Sequence, residues 1–179
     1  MPKIEIRPAK SDDIQNLITL EHSYVSDYVW QMEVQRDEYK TSIVFQQVKL
    51  PRSVQVHYPR SPGLLVEDWT KRDGLLVATM ESEIVGYACL MNNMSPKTTW
   101  ITDLVVIRRH RRQGIGTALI LAAQEWAMQK NNRRIILEMQ PKNYPAIKLT
   151  QKLGFELCGY NDHYYENQDI ALFFSKWLR

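Results

Sequence analysis

The segment Arg111-Arg112-Gln113-Gly114-Ile115-Gly116-Thr117 constrains this chain more than any other stretch, because of what flanks it. Before it, Leu104 to Ile107 is continuously apolar, as in a central strand covered on both faces. After it, Ile115, Leu119, Ala122 and Trp126 share one stripe with Gln124, Glu125 and Gln129 opposite. That pattern predicts a helix from Gly114 to about Lys130, stopped by Asn131 and Asn132. Glycines at such a joint permit a tight turn, and the first helical N–H groups point outward without intrahelical partners at the positive end of the dipole. A phosphate or pyrophosphate can fill that place, and Arg108, Arg109, Arg111 and Arg112 add charge and bidentate donors. An ordinary strand-to-helix turn with a solvated basic face accounts for the same residues equally well. The segment is not a P-loop, since no Gly-Lys-Ser/Thr follows, nor is it the three-glycine dinucleotide fingerprint.

Around this joint the periodicity predicts a strand at Ile4 to Arg7 and a helix from Ser11, capped by Ser11 with Asp12 and Asp13 in its first turn. Tyr24, Val25, Tyr28, Val29 and Met32 recur at helical spacing and predict a second helix. Thr41 to Tyr58 reads as a hairpin turned at Pro51, Arg52 and Ser53, and Leu64 to Arg72 as a short helix after the break at Pro59 to Pro62. Leu75 to Met80 and Ile84 to Leu90 form a hairpin around Glu81, Ser82 and Glu83, followed by a strand from about Thr99 to Ile107. Beyond the glycine helix come strand Arg134 to Met139, helix Asn143 to Leu153 stopped by Gly154, and strands Phe155 to Tyr165 and Ile170 to Trp177. Strands followed by alternating helix and strand argue for a mixed α/β sheet with helices on both faces.

The 179 residues fit a single domain, and 44% hydrophobic with 24% charged residues excludes disordered and collagen-like classes. No apolar run approaches the roughly 18 residues of a membrane span, and the charged stretch Met1 to Lys10 does not read as a signal peptide, so a cytoplasmic protein is expected. Cys89 and Cys158 lack neighbours at metal-ligand spacing, which disfavours a disulfide framework and a zinc site; no metal is expected. A formal charge of +3 is mild for a nucleic-acid binder, and the basic block lacks interleaved aromatics, so no nucleic-acid partner is expected.

Two motifs in order give the turn a more specific meaning. Arg111, Gly114 and Gly116 match in register the Arg/Gln-x-x-Gly-x-Gly/Ala element of the GNAT superfamily of N-acetyltransferases, and Asn143, Ala146, Lys152, Gly154 and Phe155 echo its later Asn-x-x-Ala-x-x-x-Tyr-x-Lys-x-Gly-Phe signature. Over Leu75 to Phe155 the chain therefore resembles this family. Thr102 to Val106, Leu137 to Gln140 and Asp169 to Phe174 look most like its streptothricin acetyltransferase group. The resemblance implies a mixed, mostly antiparallel sheet splayed between its fourth and fifth strands, with acetyl-CoA as cosubstrate. It implies one N-acetyltransferase domain over 1–179: acceptor-side elements at about 1–73, the acetyl-CoA core at about 74–160, and final strands at about 161–179. The pantetheine arm would pair with Leu104, Val105 and Val106. The pyrophosphate would rest on Gln113, Gly114, Ile115, Gly116 and Thr117, flanked by Arg111 and Arg112, with Asn143 reaching the arm. A homodimer is compatible with the family, and no stretch marks its interface.

Amine acetylation needs an uncharged amine, a stabilised oxyanion and a proton for the departing thiolate. The family implies direct attack, so Cys89 and Cys158 read as structural, and a backbone N–H near Val105 or Val106 would hold the oxyanion. Glu138 matches the catalytic glutamate of ribosomal-protein acetyltransferases in the family. A carboxylate in the apolar strand Ile135 to Met139 is costly unless it faces a cleft or an ion partner, Arg133 or Arg134 being the nearest. Asp103 is the second candidate base, or a brace for the strand. The family's tyrosine acid would fall at Thr150, so Tyr144 and Tyr160, with Tyr164 or Tyr165, are the substitutes to consider. His163 near the acceptor side is a further candidate base or a surface residue.

The family builds its acceptor site from the first helices and last hairpin. Here that implies Asp27, Asp37, Glu38, Glu67, Asp68, Asp162, Glu166 and Asp169 beside Tyr28, Trp30, Trp69, Tyr164 and Tyr165. Carboxylates beside aromatic faces suit a cationic amine, so a small-molecule acceptor of the streptothricin, aminoglycoside or polyamine type is expected, with antibiotic resistance as one consequence. A peptide N-terminus or lysine is the alternative acceptor, and a non-catalytic acyl-CoA sensor is the alternative class.

Overall fold

The structure, a computed structural model, describes residues 3–179. Among them are nine strands: β1 Ile4–Pro8, β2 Tyr24–Arg36, β3 Thr41–Val56, β4 Gly74–Met80, β5 Glu83–Asn92, β6 Thr98–Val106, β7 Arg134–Met139, β8 Glu156–Asn161 and β9 Ala171–Trp177. Four α-helices accompany them: α1 Ile14–Thr19, α2 Leu64–Asp68, α3 Ile115–Gln129 and α4 Tyr144–Lys152. Seven strands form one sheet in the order β1-β4-β5-β6-β7-β9-β8, and β2 with β3 forms a separate ribbon. Every pairing in the main sheet is antiparallel except β6 with β7.

That parallel pairing is short. Thr98 to Ile101 match Arg134 to Leu137, and beyond Ile101 and Leu137 the two strands share no further ladder. β6 nevertheless runs on against β5 to Val106, and β7 against β9 to Met139. The fourth and fifth strands of the sheet therefore splay, as the family resemblance implies. A bulge at Thr102 accompanies the opening, because Cys89 opposes Asp103 while Leu90 opposes Ile101.

The sheet buries both faces. On one, Leu119, Ile120 and Ala123 of α3 and Ile147 of α4 pack on Ala88, Ile101, Leu137 and Phe174. On the other, Ile14 and Leu17 of α1 and Leu65 of α2 pack on Leu75, Val77 and Tyr87. Helices on both faces of a mixed sheet agree with the sequence.

The first third departs from it. Tyr24 to Arg36 is a strand, not a helix. Tyr24, Tyr28 and Met32 are four apart, which satisfies a period of two as well as one near 3.6, and the β-branched and aromatic content favours the strand once a partner is available. Tyr24 and Ser26 are buried and Val25 and Asp27 exposed, as alternation requires. Thr41 to Val56 is likewise one strand paired with β2, and the turn lies at Asp37 to Lys40. Pro51, Arg52 and Ser53 sit in an irregularity, where the register passes from Tyr28 opposite Lys49 to Ser26 opposite Val54. β3 has only β2 beside it, so its outer edge tolerates a proline. Strand Phe155 to Tyr165 is also shorter than expected, ending at Asn161 before a loop that holds Tyr164 and Tyr165. Ser11 opens a short 3₁₀ turn whose cap is made by Asp13, accepting from Lys10 N at 2.7 Å and paired with Arg7.

Candidate active site in the splayed sheet

The cleft between β6 and β7 is lined by Tyr58, Arg60, Thr102, Leu104, Glu138, Asn143 and Tyr165, among others. At one end lies the glycine turn. β6 ends at Val106, a 3₁₀ turn spans Arg108 to His110, and α3 begins at Ile115 behind Gly114, whose φ of 86° is left-handed. The amides of Ile115, Gly116 and Thr117 precede the first i→i−4 bond, Ala118 N to Gly114 O, and so have no helical acceptor. Arg112, Gln113 and Gly114 are exposed beside them. The guanidinium of Arg111 turns inward instead. Nε donates to Val106 O at 2.7 Å and Nη2 to Ser23 O at 2.8 Å, tying the start of β2 to the end of β6. Arg109 pairs with Glu83.

Asn143 caps α4, its Oδ1 accepting from Ala146 N at 3.3 Å, and lines the cleft. Leu104 lines the cleft from β6, in the stretch that β7 leaves unpaired.

At the other end two carboxylates face one another across the splay. The side chain of Glu138 is fully buried, and one oxygen accepts from Arg60 while the other accepts from Tyr164 Oη at 2.9 Å. Burial raises the Glu138 carboxyl above its ordinary range, and the Arg60 charge and the two hydrogen bonds act against that rise. Asp103, equally enclosed, accepts from Tyr58 Oη at 2.5 Å and from Thr102 Oγ1 at 3.0 Å. Arg60 Nη1 donates to Thr102 O at 2.8 Å and stands 3.6 Å from Asp103, while its Cζ lies 5.1 Å from the Tyr165 ring centroid and 6.0 Å from that of Tyr164. Burial opposes charge on Arg60, but the two carboxylates prevail and hold it protonated. Arg72 approaches Thr102 Oγ1 at 3.5 Å from the other side.

The ion partner of Glu138 is therefore Arg60, 78 positions away, rather than Arg133 or Arg134. Arg134 reaches Ser175 and the Trp177 ring instead. Among the candidate acids, Tyr144 stacks on Tyr28 at 4.6 Å and Tyr160 packs edge-on to Phe45 from the outer strand β8, and neither lines the cleft. Tyr164 and Tyr165 do reach this region. Burial, helped by Glu138, pushes the Tyr164 hydroxyl up to about 12. Burial also lifts Tyr165 and Tyr58, so all three hold their protons at neutral pH. Thr150 is spent on α4, its hydroxyl donating to Ala146 O and Ile147 O at 3.0 and 2.9 Å. His163 is exposed beside Asp162, and Asp37 and Glu38 sit at the ribbon tip away from the cleft. Cys89 is wholly buried and burial raises its thiol, which leaves no thiolate for nucleophilic attack, and Cys158 lies exposed on β8.

Sequence reasoning missed Tyr58 and Arg60, and the signal for them was faint: a basic residue held between Pro59 and Pro62 in a stretch without periodicity. It also missed what frames the cleft. Gln140 accepts from Tyr24 Oη at 2.7 Å and donates to Asp169 at 2.6 Å, joining the ribbon, β7 and the loop of Tyr164 and Tyr165. Among the described residues no helix is long and apolar enough to cross a membrane, and no cluster of three metal-ligating side chains occurs.

Comparison with known proteins gives this geometry a family. Residues 32–155 match the family described as "Acetyltransferase (GNAT) family". An N-alpha-acetyltransferase of Sulfurisphaera tokodaii is 32% identical over 113 residues, covering 53% of this chain and 64% of its own length. The chain thus spans about two thirds or less of that relative. A streptothricin acetyltransferase of Streptomyces lavendulae is 23% identical over 167 residues, covering 90% of this chain and 86% of its own. In fold, nourseothricin acetyltransferase superposes with a TM-score of 0.84 at 22% identity, over 98% of this chain and 99% of that one. A Bacillus anthracis str. Ames protein solved in complex with acetyl coenzyme A superposes with a TM-score of 0.75 at 21% identity, covering 98% and 99% of the two chains. The glycine turn, the splayed strands and the matched span of 124 residues, more than half of the chain, together establish that this chain belongs to the acetyltransferase (GNAT) family.

Proposed function

We propose that this acetyltransferase moves the acetyl group of acetyl-CoA directly onto a primary amine of a small cationic molecule of the streptothricin, aminoglycoside or polyamine type. The observation that carries the reading is the pair of buried carboxylates, Asp103 and Glu138, set with Tyr164 and Tyr165 where the two strands part. Buried carboxylates are costly unless matched by positive charge, and ring faces add to the attraction for a cation. The extended match to a streptothricin acetyltransferase supports the same class of acceptor.

On this reading the whole chain, 1–179, works as one domain in the cytoplasm. The amides of Gln113 to Thr117 receive the pyrophosphate, with Arg112 alongside. Arg111 fixes the turn through its carbonyl bonds. The unpaired edge of β6 at Leu104 to Val106 takes the pantetheine arm, and Asn143 closes on it. An N–H of Val105 or Val106 holds the developing oxyanion. Glu138 or Asp103 removes the proton that the amine must lose before it attacks. The raised Glu138 carboxyl is the better match to that task. Tyr58, Tyr164 and Tyr165 all hold their protons, and Tyr58 and Tyr164 act as donors that orient the carboxylates, so the thiolate takes its proton from solvent. The archaeal relative supports a second reading, with a peptide N-terminus as acceptor.

Thiol release from acetyl-CoA, measured with streptothricin, aminoglycosides, spermidine and N-terminal peptides, tests the proposal. Turnover on a small cationic amine is expected. Turnover on peptides alone would favour the second reading, and tight acetyl-CoA binding with no turnover would make the chain a sensor.

A further inference from the structure

Arg60 poses a problem for any cationic acceptor. It comes from the loop between β3 and α2, yet its guanidinium lies at the closed end of the splay, bonded to Thr102 O on β6 and to Glu138 on β7. Asp103 stands 3.6 Å from it and the rings of Tyr165 and Tyr164 flank it. These are the features that recognise an ammonium or guanidinium group: two carboxylates, a backbone carbonyl and two ring faces. With Arg72 beyond Thr102, the formal charges of Asp103 and Glu138 are already matched by two arginines. No uncompensated negative charge is left for an arriving cation.

The position along the cleft sharpens this. Asp103 and Glu138 come directly after the last ladder pair, Ile101 with Leu137, so the guanidinium lies at the closed end of the splay, and Leu104 follows on β6 toward the glycine turn. An amine that gives its proton to Glu138 or Asp103 has to come within reach of them, which is where the guanidinium sits. The arm reaches in from Pro59-Arg60-Ser61-Pro62, a loop outside any regular element, and a quarter of the side chain remains exposed. Withdrawal into water therefore breaks few bonds beyond those to the cage.

We infer that Arg60 is a tethered stand-in for the acceptor: its guanidinium occupies the cation subsite at the closed end of the splay, and the acceptor's cationic group binds by displacing it. This rests on the small-cation reading of the acceptor site. The exchange has a chemical consequence. While Arg60 is bound, its charge holds the Glu138 proton affinity down. When it leaves, the Tyr164 hydrogen bond stays and the charge of the incoming cation takes over that part. Glu138 thus keeps a positive partner before and after the exchange, and only acceptors cationic enough to replace a guanidinium are admitted. Arg60 is thus a specificity-determining residue.

The experiment empties the cage and refills it without any acetyl transfer. Arg60→Ala and Arg60→Met are titrated with methylguanidinium, with melting temperature as the readout; Met keeps the packing of the arm if Ala folds poorly. Either variant is expected to bind methylguanidinium and to gain about 3–6 °C at roughly tenfold excess over its dissociation constant. Wild type, its cage filled, should show no such gain, and neither should the double variant Arg60→Met/Glu138→Gln. Absence of a gain in both single variants, or an equal gain in wild type, overturns the proposal. A gain that survives Glu138→Gln unchanged also overturns it, since the cation would then sit elsewhere. Because this titration needs neither acetyl-CoA nor the natural acceptor, it fails or succeeds independently of the amine panel that tests the acceptor class. Where the panel yields an acceptor, its KM should fall in Arg60→Met while that of acetyl-CoA stays unchanged; a rise of tenfold or more would mean that Arg60 holds the acceptor rather than yields to it.

Discussion

Replacing Glu138 by Gln preserves the shape of the β7 side chain and its bond to Tyr164 while removing its charge. On the proposed mechanism kcat falls by about 10²–10⁴-fold, and the KM for acetyl-CoA does not move because the glycine turn lies at the other end of the cleft. The same carboxyl sets a pH limb. Its folded pKa is raised above 4.5 by burial, and the reacting form is the anion, so kcat/KM falls as pH drops through that raised value. The acidic limb is expected above 4.5, and absent from Glu138→Gln. A limb that persists in the variant would transfer the role of base to Asp103. At this scale the sequence was half legible. Glu138 and Asp103 stood out because a carboxylate inside an apolar strand needs a reason. Their partners did not, because Tyr58 and Arg60 are 45 and 78 positions away from them and no local pattern encodes such a contact.

Among the elements, the turn into α3 was legible and the ribbon was not. The turn is written locally, in glycines and the onset of a 3.6-residue stripe. The ribbon is written in the pairing of β2 with β3, and β2 taken alone carries a spacing that fits helix or strand equally. Two glycines connect these elements to the donor site. Gly114 sits at a φ of 86°, so Gly114→Val strains the backbone by about 1–2 kcal/mol. The KM for acetyl-CoA should rise about tenfold, measured at saturating amine; an unchanged value would remove the turn from the pyrophosphate site. Gly86 on β5 is tighter, since a Cβ there would lie 2.5 Å from Val105 O. Gly86→Ala must push β6 outward at the residues proposed to face pantetheine, at a cost of about 1–3 kcal/mol. Lowered melting temperature together with weakened acetyl-CoA binding is expected. A melting shift with normal binding would show that β6 can move there without consequence.

Across the whole molecule, donor and acceptor parts meet along one seam. The core from β4 to α4 carries the sheet opening, while the ribbon, the loop of Arg60 and the loop of Tyr164 close over it, and Gln140 joins the ribbon to the loop of Tyr164. Phe174, 1% exposed and 5.6 Å from the Trp30 ring, seats the ribbon on the sheet. Phe174→Ala should cost about 3–5 kcal/mol in denaturant unfolding; a cost below about 1 kcal/mol would mean the ribbon does not depend on that contact. The donor core was read from sequence because its turn and strands are local and ordered along the chain. The acceptor side was not, because it is assembled from distant segments and no periodicity marks their meeting. A crystal structure with CoA bound examines the seam itself. The sulfur is expected in the splay between Leu104 and Glu138, with the pyrophosphate on the amides of Gln113 to Thr117. A sulfur outside that opening, or a pyrophosphate away from that turn, would contradict the assignment of this cleft as the place where thioester and amine meet.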